Sequence, residues 1–319
     1  MIILAADIGG TTCKLGVLSE ALDILHKWEI PTNTADGGSR ILHDIYESFK
    51  KNAGLKDYQL KDVKGIGLGV PGPVDFDKGT VNGAINLNWH GIKHVRDEFE
   101  KMTGKPVYID NDANAATLGE KFKGAGQNEP DVVCITLGTG VGGGIIANNE
   151  IVHGHNGSGG EIGHFKVDTK ERFQCNCGRR GCLETVASAT GVVNQTYYYY
   201  EELQFKTVLQ EAIENRQVQA KMVFDAAKKG DEFATYIIRK VANHLAYAIS
   251  VISVMTNPKY VIIGGGVSKA GQFLIQPIES AYEKMTFKPA LEGTKIVTAE
   301  LGNDAGIIGA AGLIKQYVK

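Results

Sequence analysis

MIILAADIGGTTCKLGVLS, residues 1–19, sets an apolar run, a Gly-Gly-Thr-Thr turn and a second apolar run end to end. The alternation over Lys14–Leu18 and the glycines between the runs predict strand, tight turn, strand. The plan returns at residues 131–154, DVVCITLGTGVGGGIIANNEIVHG, as strand, glycine turn, strand, turn, strand. Two copies of one opening predict two domains built alike.

Working outward, residues 38–50 place Ile41, Leu42, Ile45 and Phe49 at helical spacing. Residues 63–75, VKGIGLGVPGPVD, read as a strand breaking into a Gly/Pro loop. A helix follows over 91–104, ended by Gly104, then the strand PVYIDND and a helix from Ala113. Residues 206–256 are mostly helical, 258–268 (PKYVIIGGGVS) is a buried strand, and 294–316 reads as strand, loop, helix. Strands alternating with helices predict an α/β fold with mixed sheets. The expected domains are residues 1–117, joined by the last helix at about 303–319, and residues 118–302.

Composition bounds the function. The chain has 319 residues, 43% hydrophobic and 22% charged, which is ordinary for a globular protein. Its net charge of −2 lacks the basic excess of a nucleic-acid binder. The N-terminal apolar run is short, ends in Asp7 and lacks a positive flank, so no signal peptide is expected. Tyr247–Met255 is far short of a membrane span. A cytoplasmic protein is expected. Glycine stands apart: 40 residues, nearly double the usual share, gathered in short runs.

Three of those runs share one logic. DIGGTTCK (Asp7–Lys14), GTGVGGG (138–144) and GGGVS (264–268) each follow an apolar strand. Glycine lets successive backbone N–H groups converge on an anion, and Thr11, Thr12 and Thr139 add hydroxyls. Asp7 could hold Mg²⁺ and Lys14 could add charge. None matches the GxxxxGK[ST] pattern or a GxGxxG fingerprint with an acidic partner. Ordinary hairpin turns are the plain alternative; three such runs together favour a nucleotide.

YIDNDANAA sets Asp110, Asn111, Asp112 and Asn114 where a strand runs into a helix, the end at which α/β sheets gather ligands. Asp112 could take a proton from an attacking hydroxyl, and Asn111 could orient the same substrate. Asp and Asn also cap helices, so one of the four is expected to do only that. Asn86, Asn88, Trp89, Glu161, His164 and Glu184 add groups suited to a polyol.

CNCGRRGC, Cys175–Cys182, holds three of the five cysteines. In a reducing compartment a metal is favoured over a disulfide. Zinc wants four ligands, and His164, eleven residues upstream of Cys175, is the natural fourth. Arg172, Arg179 and Arg180 would favour thiolates. A redox pair lacks its CxxC spacing, iron–sulfur ligation lacks a typical spacing, and a nucleic-acid knuckle has thin aromatic support. The four consecutive tyrosines Tyr197–Tyr200 carry no assigned chemistry; a subunit interface and half-buried packing are the two readings.

DIGGTTCK, LGVPGPVD, IDNDANAA, LGTGVGGGIIANNEIVHGHNGSGGEIGH and CNCGRRGCLE resemble the ROK family of bacterial sugar kinases and related regulators. The resemblance runs through GGGVS and GNDAGIIGAAG, essentially the whole chain, and is nearest to the family's ATP-dependent glucokinases. It implies an actin/hexokinase-like α/β fold with two ribonuclease-H-like cores and a cleft between them. It implies transfer of the γ-phosphoryl of MgATP to the 6-hydroxyl of glucose, with Asp112 as base. It assigns sugar contacts to Asn111, Glu161, His164 and Glu184, with the Gly69–Gly72 loop nearby; with Asn88 and the base Asp112 these make the expected sugar site of Gly69, Asn88, Asn111, Asp112, Glu161, His164 and Glu184. It assigns phosphate contacts to Gly9, Gly10, Thr11, Thr12, Thr139, Gly140 and Gly265, to which the residue reading above adds Asp7 and Lys14. It assigns structural zinc to His164, Cys175, Cys177 and Cys182. A homodimer, less often a tetramer, is implied. Another hexose or N-acetylhexosamine, polyphosphate as donor, or a non-catalytic sugar sensor are the alternatives. The first glycine turn begins at residue 7, which leaves no expected helix-turn-helix before it.

Overall fold

The computed structural model describes residues 1–54, 59–203 and 205–318. In chain order the first strands are β1 (Ile2–Ile8), β2 (Thr12–Ser19) and β3 (Ile24–Pro31), then α1 (Ala35–Gly38), α2 (Ile41–Gly54) and β4 (Val63–Val70). Three short strands, β5 (Val74–Asp75), β6 (Thr80–Asn82) and β7 (Ile92–Lys93), precede α3 (Val95–Thr103), β8 (Val107–Asn111) and α4 (Asp112–Lys123). The second pattern is β9 (Val132–Leu137), β10 (Val141–Ala147) and β11 (Glu150–Ile151). Helices follow: α5 (Glu184–Ala187), α6 (Ala189–Leu203), α7 (Gln210–Glu214), α8 (Ala220–Lys228) and α9 (Glu232–Thr256). The chain closes with β12 (Tyr260–Gly264), α10 (Gln272–Met285), α11 (Lys288–Gly293), β13 (Lys295–Thr298) and α12 (Ala305–Tyr317).

Packing divides the chain into two units. The first is Met1–Asn128, Gly144–Gly160 and Glu300–Lys319; the second is Glu129–Gly143 and Glu161–Ala299. The divide expected at residue 117 falls inside α4, and the packing keeps that helix whole in the first unit. It also assigns Gly144–Gly160 there, a segment the sequence reading placed in the second domain.

The two main sheets have the same order. One is β3-β2-β1-β4-β8 and the other β11-β10-β9-β12-β13. In the first, β1 pairs antiparallel with β2 and parallel with β4, which pairs parallel with β8. In the second, β12 lies parallel between β9 and β13. This mixed order, present twice, is the ribonuclease-H-like plan that the family resemblance implied.

β1 lacks a polar face because both of its faces are covered. Ile2, Leu4, Ala6 and Ile8 join one core cluster with Ile41, Ile45, Phe49 and Phe99. Ile3 and Ala5 join another with Ile307, Ala310, Ala311 and Ile314 of α12. Alternate residues of a strand face opposite ways, so a strand between two helical layers reads as continuously apolar. The last helix therefore does return to the first unit, and small residues bring it close. A Cβ on Gly67 of β4 would lie 1.7 Å from the Ala310 carbonyl, and one on Gly309 would lie 1.6 Å from the Ala115 carbonyl of α4. GIIGAAG is thus a backbone-to-backbone packing face.

In the second unit α9 is long and apolar enough to pass for a membrane span by length and composition. It is instead the unit's core helix: Phe233, Ile237, Val241, Leu245 and Ile249 are buried, and it packs against α6, α8 and α10.

Candidate active site

In the first unit β8 ends at Asn111, whose extended ψ of 146° turns the chain into α4. Asn111 is the N-cap: its Oδ1 accepts the Ala113 N–H at 2.9 Å, filling one orphan donor of the helix start. Its Nδ2 donates to the Gly72 carbonyl at 3.0 Å, which ties the strand end to the Gly/Pro loop. Asp112 is the first helical residue and exposed, with its Oδ1 accepting the Ala113 N–H at 2.9 Å. Asp110 is fully buried, and its carboxylate accepts from the Asn111 N–H at 2.7 Å and Asn114 Nδ2 at 2.9 Å. Of the four interleaved polar residues, Asp110 and Asn114 are internal, Asn111 caps, and Asp112 reaches solvent.

The first glycine turn is closed by the Gly9 N–H donating to the Thr12 carbonyl at 3.0 Å and by Thr32 Oγ1 donating to the Gly9 carbonyl at 2.6 Å. A Cβ on Gly9 would come within 2.8 Å of the Thr12 oxygen, and one on Gly10 within 3.0 Å of the Asn86 oxygen. Thr11 is exposed beside them. Asp7 sits just before the turn, with Lys14 Nζ at 3.9 Å. Lys14 also donates to the Asn303 carbonyl at 3.3 Å. Burial pushes the Asp7 carboxyl above the usual range, and Lys14 only partly offsets it. A Cβ on Gly306 would lie 2.5 Å from Asp7 Oδ2, and one on Gly69 3.7 Å from Oδ1, so the carboxylate nests between two glycines.

One expectation is corrected here. Trp89 is not a pocket residue: it is 3% exposed and its Nε1 donates to the Gly38 carbonyl at 3.1 Å. A 3₁₀ turn over Ile85–Leu87 and the left-handed Asn88 (φ 57°) aim the indole into the core. Asn88 itself stays exposed, donating to the Thr34 carbonyl at 3.2 Å.

In the second unit the turn after β9 is closed by the Gly138 N–H and the Gly140 carbonyl at 3.0 Å, and Thr139 is exposed at its tip. Gly140 is dictated by Glu184, since a Cβ there would lie 2.4 Å from Glu184 Oε2. Gly265 holds φ at +84°, and a Cβ on it would meet the Leu137 backbone at 2.5 Å. The two turns border a cavity of about 520 Å³ lined by Leu137, Thr139, Phe224, Gly266, Val267 and Ala270. Gln219, Lys221, Asp225, Lys228 and Lys269 complete its wall. The sequence reading missed this helical wall, because α8 carries an ordinary amphipathic pattern and no motif.

His164, Cys175, Cys177 and Cys182 converge: one ligand atom from each lies within 4.8 Å of the others. Cys177 Sγ and Cys182 Sγ are 3.7 Å apart, and Cys175 Sγ is 3.5 Å from His164 Nδ1. Two thiolates on one tetrahedral ion with bonds near 2.3 Å stand about 3.8 Å apart, so the spacing fits. Burial pushes the Cys175 and Cys182 thiols up, while the Arg179 backbone N–H brings Cys177 down. Two of the three nearby arginines are engaged elsewhere. Arg172 is bound to buried Asp168 at 3.0 Å, and Arg180 donates to the Glu171 and Arg172 carbonyls. His164 Nε2, the other ring nitrogen, is 4.0 Å from Glu161 Oε2. Glu184 Oε1 accepts from Cys175 Sγ at 3.1 Å, and its Oε2 from the Val141 N–H at 3.4 Å. Glu161, His164, Glu184 and the cysteines are therefore one cluster, next to the second turn.

A twice-repeated 3-2-1-4-5 sheet, a glycine turn in each copy and a carboxylate at a strand end define the actin/hexokinase-like class of two-domain α/β proteins. The chain belongs to the ROK family, whose profile it matches over residues 3–317. It is 43% identical to a glucokinase of Halalkalibacterium halodurans, over 97% of this chain and 94% of that one. It is 38% identical to a glucokinase of Thermotoga maritima, over 99% and 98%. A ROK family glucokinase from Streptomyces griseus, solved with glucose and AMPPNP, superposes with a TM-score of 0.73 at 32% identity, over 99% of this chain and all of that one.

Proposed function

We propose that this chain is an ATP-dependent glucokinase that transfers the γ-phosphoryl of MgATP to the 6-hydroxyl of glucose. The observation that carries the reading is Asp112: an exposed carboxylate at a strand end, on a junction fixed by the hydrogen bonds of Asp110, Asn111 and Asn114. Asp112 accepts the proton of the 6-hydroxyl as that oxygen attacks phosphorus. The second N–H of Asn111, with Gly69 and Asn88, Glu161, His164 and Glu184, positions the sugar hydroxyls. His164 serves two ligands: Nδ1 faces the thiol cluster and Nε2 faces outward. The relatives named glucokinase and the neighbour solved with glucose support the choice of hexose.

ATP is the donor because the second unit's cavity has apolar walls (Leu137, Phe224, Val267, Ala270), which a nucleoside fills and a bare polyphosphate chain does not. The turn backbones of Gly9–Thr12, Thr139–Gly140 and Gly265 present N–H groups to phosphate oxygens. Asp7 would hold Mg²⁺: its nested, half-buried carboxylate has only a distant lysine to balance it. That ion supplies charge neutralisation for the phosphates. Zinc on His164, Cys175, Cys177 and Cys182 would brace the loop that carries the sugar contacts. The enzyme works in the cytoplasm as a homodimer.

The test is a coupled assay of ADP release across a panel of hexoses and N-acetylhexosamines, wild type against Asp112→Asn. Glucose is expected to be preferred, and the variant to lose about 10²- to 10⁴-fold in kcat with KM for glucose little changed. Turnover with another sugar alone changes the substrate; tight sugar binding without turnover on any donor makes the chain a sensor.

A further inference from the structure

We infer that His153 is a positioning residue for phosphoryl transfer, acting through the buried Asp110 carboxylate on the junction that aims Asp112. This rests on the reading of Asp112 as the base.

The local sequence explains only half of what holds Asp110. Its Oδ1 accepts from the Asn111 N–H at 2.7 Å and from Asn114 Nδ2 at 2.9 Å, so one oxygen clamps the last strand residue to the first turn of α4. Its Oδ2 takes its hydrogen bond from 43 residues away, from His153 Nε2 at 2.7 Å. An ionised carboxylate only accepts, which puts the ring proton on Nε2. The Asp110 side chain is 1% exposed, so water cannot replace a lost donor. Removing one partner of such a buried charge leaves it to find another, here by rotating and pulling on the Asn111 N–H.

His153 is built to stay in place. Its ring stacks on Phe76 with centroids 4.4 Å apart and planes 19° off parallel. Its carbonyl accepts the Gly159 N–H at 2.8 Å. Phe76 is anchored in turn by Arg96, whose Nη2 donates to the Phe76 carbonyl at 2.6 Å. The path from Phe76 through His153 to Asp110 ends one peptide from Asn111 and two from Asp112. All of these residues belong to the first unit. The Asp110 carboxylate is buried, so its effect on the chemistry is through the geometry of the junction.

Two variants separate positioning from mere packing. His153→Phe keeps an aromatic ring for Phe76 and removes the donor. His153→Gln keeps an N–H donor and removes the ring. For both, kcat and each KM are measured in the full chain, with Asp112→Asn alongside and the thermal midpoint recorded. A misplacement near 1 Å at reacting groups costs about 10²-fold. His153→Phe is expected to lose on the order of 10²-fold in kcat with both KM values within about threefold. His153→Gln is expected to recover at least about tenfold of that loss. Hydrogen exchange at residues 111–114 should quicken in His153→Phe and return toward wild type in His153→Gln. Wild-type kcat in His153→Phe, where Asp112→Asn is dead, overturns this inference alone. Equal loss in both variants, or a rise in KM for glucose at unchanged kcat, also overturns it. An active Asp112→Asn overturns the base assignment instead.

Discussion

The two glycine turns occupy equivalent places in sheets of identical order, yet they hold opposite contents. The first stands beside charge: Asp7 and Lys14 lie 3.9 Å apart, and Gly306 of α12 crowds the carboxylate. The second borders a cavity of about 520 Å³ with apolar walls, because α8 and the segment after β12 line space rather than filling it. Topology delivers a backbone turn at the end of a strand. What the turn can bind is decided by the helix behind it. Where that helix is Gly-rich and pressed onto the sheet, a carboxylate is trapped; where it stands off, a cavity opens.

The comparison breaks first at Asp7. Asp7→Asn keeps the shape of the nest and removes the charge. On the proposed division of labour it should lower kcat on the order of 10²-fold and raise the Mg²⁺ concentration needed for half-maximal rate. The KM for glucose should barely move. Steady-state rates over a Mg²⁺ titration check it, and an unchanged titration would mean that the first turn handles no metal-bound phosphate.

Ala220→Phe sharpens the other side. Ala220 opens α8 and lines the cavity, so the larger ring would fill the space proposed for the nucleoside. KM for ATP is expected to rise about 10- to 30-fold, with kcat and KM for glucose near wild type. If both KM values rise together, the cavity is not the nucleotide's.

Much of this was legible beforehand, for reasons particular residues show. Both strand–turn–strand openings announce themselves because glycine pairs sit between apolar runs. The Cys3His cluster is legible because CNCGRRGC gathers three cysteines in eight residues with His164 just upstream. Trp89 was misread because its neighbours Asn86 and Asn88 are polar and exposed, while a one-turn 3₁₀ helix alone rotates the indole inward. The arginines of the cysteine loop looked like thiolate partners, yet Arg172 had a nearer one in Asp168. His153 left no trace: a lone histidine carries no spacing that names an aspartate 43 residues earlier. The α8 wall left none either, since a helix face toward a cavity looks like one toward a core.

The tyrosine run shows what contacts add to composition, and it carries the smallest expected effect. Tyr199 accepts from Arg172 Nη1 at 2.5 Å, and Tyr198 stands edge-on to Phe173, with Arg172 over both tyrosine rings. The run therefore braces the cysteine loop within the second unit. Behind it lies His244 of α9. Burial, then the nearby Arg172 charge and Lys240, outweigh Asp168 and hold its imidazole down to about 4. The ordinary value is 6.5, so between pH 6.5 and 4 the unfolded chain takes up a proton that the folded chain refuses. Stability on this account is complete above pH 6.5, falls as pH drops, and by pH 5.5 has lost on the order of 1 kcal/mol. Asp168 does not blur the window. Burial pushes it up, but the Arg172 hydrogen bonds bring it below the usual carboxylate range, so its contribution is lost only at lower pH. His244→Gln removes the titration and should flatten the thermal midpoint between pH 7 and 5 relative to wild type. Parallel midpoint curves over that range would mean that His244 is protonated in the folded protein, and that the brace behind the cysteine loop is wetter than its packing implies.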